Sequence, residues 1–156
     1  MQARLDYFSV APELMSHMVK LEQAIRAAGL EQSLYELVKT RASQINGCGY
    51  CLHMHTTDAR ASGETEMRLY LLNAWRDSTL YTPRERAALA WTESLTRISE
   101  TGAPDADYQA LDAHFSEHEK VALTLLITTI NAWNRLAIGF RTPHPDTADT
   151  PRHRQP

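Results

Sequence analysis

Both cysteines of the chain fall in one short stretch, Gly47-Cys48-Gly49-Tyr50-Cys51-Leu52-His53-Met54-His55, with His55 four residues after Cys51. In a helix running from Cys48 onward, residues at i, i+3 and i+7 share a face, so Cys48, Cys51 and His55 form one row. Two thiols and an imidazole in a row are a redox constellation. A thiolate is the nucleophile, and an adjacent base together with a helix N-terminus lowers a thiol's pKa below the free value of ~8.5. The same residues also make a partial zinc set, with His53 or a distant carboxylate as fourth ligand. Helical geometry opposes His53, which lies about 200° around the helix from Cys51. No second Cys-x-x-Cys pair exists. Covalent haem needs a histidine directly after the second cysteine, and that position is Leu52.

The elements around this stretch carry a helical period throughout. Strand signals are nearly absent, and the Asn46-Gly47 pair follows a helical segment as a stop rather than opening a hairpin. Pro12 sits in a first turn, with Leu14, Met18, Leu21, Ile25 and Ala28 following at steps of three and four until Gly29. A second helix covers 31–46, with Leu34, Val38, Ala42 and Ile45 as its inner stripe. The motif helix covers 48–62, and a short helix over 64–75 aligns Met67, Leu71 and Ala74. Thr82-Pro83-Arg84-Glu85 combines an N-cap, an N1 proline and a capping-box glutamate. The helix it opens reaches about 100, with Ala88, Trp91, Leu95 and Ile98 inward. After Gly102-Ala103-Pro104, a short helix carries Tyr108, Leu111 and Phe115. Ser116 and Glu119 form a second capping box for the most apolar helix, which continues to about 138 and belongs at the domain centre, a subunit interface, or both. The expected fold is all-α, one domain of six to seven helices over 1–141. The proline-bearing stretch 142–156 is expected to be a disordered tail.

Bulk properties narrow the function. A chain of 156 residues suits one domain with a real core. A formal net charge of -3, with acids and bases interspersed, offers no basic stripe for nucleic acid and no polybasic run for a membrane surface. The apolar run 121–134 is too short to span a bilayer at ~20 residues. The first fourteen residues lack the pattern of a secretory signal. With two cysteines confined to one motif, a reducing cytoplasm is the expected location, and there such a pair is catalytic or metal-binding rather than a structural staple.

The spacing resembles that of the alkylhydroperoxidase D-like proteins of the carboxymuconolactone decarboxylase superfamily. Glu36 precedes Cys48 by twelve residues, then come Cys-x-x-Cys and His55. The likeness continues through Asn73-Ala74-Trp75-Arg76, Glu85-Arg86-Ala87-Ala88-Leu89-Ala90-Trp91, Asn131-Ala132-Trp133-Asn134-Arg135 and Phe140-Arg141. The resemblance implies a helical subunit assembled into homotrimers or hexamers, and a dithiol that reduces a small-molecule peroxide without a cofactor or metal. A separate thiol or protein reductant would restore it. It also implies Glu36, Cys48, Cys51 and His55 as the catalytic relay. One position departs: the founding peroxidase has a histidine where this chain has Tyr50, and a phenol with pKa ~10 cannot serve as a base at neutral pH. The alternative from another class is a non-enzymatic zinc-binding or interaction module using Cys48, Cys51 and His55. His53, His17, His114, His118, His144 and His153 are expected at the surface.

Overall fold

In the computed structural model, which describes residues 2–145, every regular element is helical. A single turn, α1 (Tyr7–Val10), leads into α2 (Pro12–Arg26). Then come α3 (Gln32–Asn46), α4 (Gly49–Ala61), α5 (Glu66–Tyr70) and a 3₁₀ helix (Leu72–Asp77), followed by α6 (Pro83–Thr96), α7 (Ile98–Thr101), α8 (Asp105–Gln109) and α9 (Glu117–Phe140). The all-α, single-domain expectation holds. The larger number of pieces has local causes. The helix expected over 64–75 breaks at Leu71 and bends again at Ala74 (φ -114°, ψ 24°). The helix opened by Thr82 breaks at Arg97 (φ -109°, ψ 37°). Both capping boxes form, at Thr82/Glu85 and Ser116/Glu119.

The central helix is α3, whose residues 34–43 are buried without interruption. Its sequence hides this, because Glu36, Lys39, Thr40 and Arg41 lie among Leu34, Leu37, Val38 and Ala42. Buried charge is tolerated only when paired, and each charge of α3 is: Glu36 with Arg26 at 3.8 Å beside its hydrogen bond to His55, Lys39 with Glu22, and Arg41 with Glu93 at 2.7 Å. Around this axis pack Tyr35, Trp91, Leu111, Phe115, Leu123, Leu126 and Ile127 on one side, and Leu72, Trp75, Tyr81 and Leu89 on another. Each leucine so buried contributes about 1.5–3 kcal/mol relative to exposure.

The most apolar helix is only half inside. Leu123, Leu126, Ile127 and Ile130 face α3, while Val121, Leu125 and Ile138 are exposed. With its polar first turn, α9 runs to 24 residues, enough by length and composition alone to cross a membrane, yet half of its most apolar stretch packs against the rest of the domain. Four expected stripes are corrected. In α2, Met15 and Ile25 are buried while Leu14 and Leu21 are exposed. In the α5 region, Leu69, Leu72 and Trp75 turn inward in place of Met67 and Leu71. Ile98 and Tyr108 are likewise exposed. Of the expected tail, residues 142–145 lie beside α4, where the His144 and His53 rings stack at 5.6 Å. Residues 146–156, including His153, lie outside the described residues.

Candidate active site

The α3–α4 corner sets the site. Gly47 adopts φ 71°, ψ 32°, a left-handed conformation that favours glycine. The Cys48 amide donates to the Ser43 carbonyl at 3.0 Å and the Gly47 amide to that of Gln44 at 3.3 Å, the paired bonds of a Schellman stop. This turn reverses the chain so that α4 runs back along α3, placing Cys51 beside Ala42 and His55 opposite Glu36. Cys48 is therefore not inside α4 but is its N-cap. Its Sγ accepts from the Cys51 amide at 3.4 Å. Cys51, His55 and Ala59 form the buried row of α4, one turn apart.

Both thiols are free, buried and hydrogen-bonded to each other. Cys48 is brought down to about 7, chiefly by that bond and then by the backbone amides of Cys51 and Tyr50, against the opposing effect of burial. Cys51 moves the other way, because a proton on its sulfur is what the Cys48 thiolate accepts and because it is buried. The reduced pair is thus about half ionised at neutral pH, with the charge resting on Cys48 at the head of α4, where helix amides favour it. Ala42, Ile130 and Ala137 pack around the sulfurs, with Tyr50 and Trp133 half-buried at the edge.

Glu36 and His55 form a buried pair one turn below Cys51. His55 Nδ1 lies 2.9 Å from Glu36 Oε2, and Gln32 Nε2 donates to Glu36 Oε1 at 2.7 Å, so both carboxylate oxygens are held. A carboxylate only accepts, which puts the imidazole proton on Nδ1 and leaves a bare lone pair on Nε2. Burial pushes His55 below its ordinary value against the pull of Glu36, so the ring is neutral at pH 7. Nε2 is buried without a hydrogen-bond partner. The row anticipated from spacing is therefore two joined pairs, Cys48–Cys51 and Glu36–His55, with no direct hydrogen bond between Nε2 and either sulfur.

Beside these pairs lies a polar knot that spacing gave no means to find. Glu22 of α2 accepts from the Tyr35 hydroxyl, from Lys39 and, at 3.0 Å, from Trp133 Nε1. Lys39 is buried, lies 4.6 Å from the Tyr35 ring centroid, and acts electrostatically on Cys51 and His55. Asn134, wholly buried on α9, draws both thiols downward as well. Gln32, Glu22 and Lys39 carried no sequence signal. Asn134 carried one, as an amide within the most apolar helix. Tyr50 flanks the thiols with its phenol raised by burial, so it stays protonated.

The zinc alternative meets a different geometry. Among the described residues, the side chains close enough to share an ion are Glu36, His55 and Asp58, and that group does not include the sulfurs.

Residues 12–94 match the carboxymuconolactone decarboxylase family. The uncharacterized protein YdfG of Bacillus subtilis is 42% identical over 140 residues, covering 90% of this chain and 95% of that protein. A crystallised protein of unknown function from Agrobacterium tumefaciens, described as a candidate antioxidant defence protein AhpD, is 43% identical with a TM-score of 0.91. It covers 94% of this chain and 100% of its own. The debrominase Bmp8 shares the fold at a TM-score of 0.77 and 19% identity, over 89% of this chain and 75% of that one.

Proposed function

The chain belongs to the carboxymuconolactone decarboxylase family, and from that premise we propose that it is a thiol-dependent peroxidase cycling between a Cys48/Cys51 dithiol and its disulfide. The observation that carries this reading is the thiol pair itself. One sulfur caps a helix N-terminus and is held near neutral pKa, and the other is hydrogen-bonded to it. The thiolate attacks the terminal oxygen of a hydroperoxide, breaking the O–O bond, and becomes a sulfenic acid. The leaving alkoxide takes up a proton and departs as the alcohol. The second thiol then loses its proton and attacks the sulfenic sulfur, forming the disulfide and releasing water. His55 Nε2 accepts protons on this path, and Glu36 stabilises the resulting imidazolium through Nδ1. A thiol reductant outside the chain restores the dithiol by exchange. Every atom in the cycle comes from the peroxide and the two thiols, so no cofactor enters.

The S–H···S bond lets the proton pass between the sulfurs, and trapping decides which one attacks. Hydroperoxide consumption with dithiothreitol as donor should vanish in both Cys48→Ser and Cys51→Ser. Only the variant retaining the attacking thiol should accumulate a dimedone-reactive sulfenic acid. Parent rates in both variants would refute the dithiol cycle.

A further inference from the structure

The reading above leaves one buried polar group at the thiols without a role. Asn134 lies on α9 between Ile130 and Ala137, the two buried residues of that helix that cluster with Cys48 and Cys51. It is completely buried, one turn from each of them on the same helix face, and its side chain draws both thiols downward. Its Nδ2 donates to Ser43 Oγ at 3.0 Å, and its Oδ1 accepts from Asn46 Nδ2 at 2.8 Å. Asn46 is fixed in turn by Asn131 Oδ1 at 2.9 Å. Asn131 Nδ2 donates to Thr96 Oγ1 at 3.1 Å and to the Ile127 carbonyl at 2.9 Å.

This chain of amides settles which way Asn134 points. Flipping its amide would set NH₂ against the NH₂ of Asn46 and turn a carbonyl oxygen toward the sulfurs. An oxygen lone pair there would repel a thiolate. In the observed orientation the oxygen is taken up by Asn46, which leaves the NH₂ as the end available to the sulfurs, and hydrogen bonds to a charged group are the stronger kind. We propose that Asn134, oriented by Asn46 and Asn131, is the side-chain donor that stabilises the thiolate of the Cys48/Cys51 pair. It supplements the amides at the head of α4 from the opposite wall, so the thiolate is gripped between α4 and α9. The titratable groups that also act electrostatically with the sulfurs are Tyr7 of α1, Tyr50 of α4 and Lys39 of α3.

The proposal rests on the thiol chemistry above but is tested without peroxide. The rate of iodoacetamide alkylation of the fully reduced protein is followed from pH 5 to 10 for the parent, Asn134→Leu, Asn134→Asp and Thr129→Val. Thr129 is buried on the same helix and serves as a control for loosened packing. Both Asn134 variants should move the midpoint of the reactive thiol upward by about one pH unit or more, a roughly fivefold or greater loss of thiolate at neutral pH. Their rates should rejoin the parent's near pH 9–10, and Thr129→Val should keep the parent midpoint. Asn134→Asp preserves shape and the Asn46 contact, so it decides the matter if the leucine variant does not fold. A parental midpoint in folded Asn134→Asp overturns the proposal, and so does an equal shift in Thr129→Val. Loss of peroxide turnover in the parent itself would instead refute the peroxidase reading and leave these midpoints standing.

Discussion

At the residue scale the chemistry divides between a sulfur that is already acidic and a base that is already neutral. Cys48 is lowered to about 7, so roughly half of it is thiolate at neutral pH without further help. His55, lowered by burial, keeps its acceptor lone pair throughout the same range. Base assistance therefore matters most for the proton still held by the pair. His55→Ala should slow hydroperoxide turnover at pH 7 by ~10²-fold or more. The deficit should shrink toward pH 9, where thiols ionise unaided. Glu36→Gln keeps the geometry but removes the charge that supports an imidazolium, and should give a smaller loss in the same direction. His53, whose ring is stacked on His144 away from the Glu36 carboxylate, should tolerate alanine. A pH–rate profile for the three variants beside the parent checks all of this. A His55→Ala profile that overlays the parent's would remove His55 from the mechanism.

At the element scale, α3 places the site, and it shows where the sequence was legible. The stop at Gly47, the two capping boxes and the pairing of Cys-x-x-Cys with a histidine one turn on depend on neighbours in the chain, and all could be read from spacing. Which helix lies at the centre could not. Period and polarity pointed to α9, because an isolated helix bearing Glu36, Lys39 and Arg41 looks solvated. Only partners on other helices, Glu22, Arg26, His55 and Glu93, make its burial tolerable. The same reason hid Gln32 and the bonding of Asn46 to Asn131 and Asn134, whose partners lie on other helices. Removing one member of a buried pair leaves an uncompensated charge, so Lys39→Met should destabilise the domain by about 3–5 kcal/mol, read from urea unfolding. A cost within about 0.5 kcal/mol would contradict this. The pair also predicts a pH limit. Burial alone would raise Glu22, but Lys39 and the hydrogen bonds from Lys39, Tyr35 and Trp133 outweigh it, so its folded pKa lies below the reference value of 4.5. Its contribution is therefore present above pH 4.5 and lost as pH falls through the lower folded value. Lys39→Met should flatten the stability profile in that acid window.

At the scale of the whole molecule, the half-exposed α9 is the outstanding feature. Val121, Leu125 and Ile138 lie outward on a helix whose other face is core, and Leu14 and Leu21 are exposed on the neighbouring α2. Apolar surface arranged this way is suited to burial against identical subunits. Light scattering is expected to give a closed homo-oligomer, a trimer or hexamer, which Leu125→Glu should weaken. A monomer persisting at high micromolar concentration would contradict it. The central claim is that the molecule stores two oxidising equivalents as one bond between its own two cysteines, and intact-mass spectrometry tests it most directly. Reduced protein treated with one equivalent of cumene hydroperoxide should lose the mass of two hydrogens, yield a single peptide pair linked through Cys48 and Cys51, and return to its starting mass with dithiothreitol. Unchanged mass, or oxygen added to the cysteines without a Cys48–Cys51 link, would contradict the account.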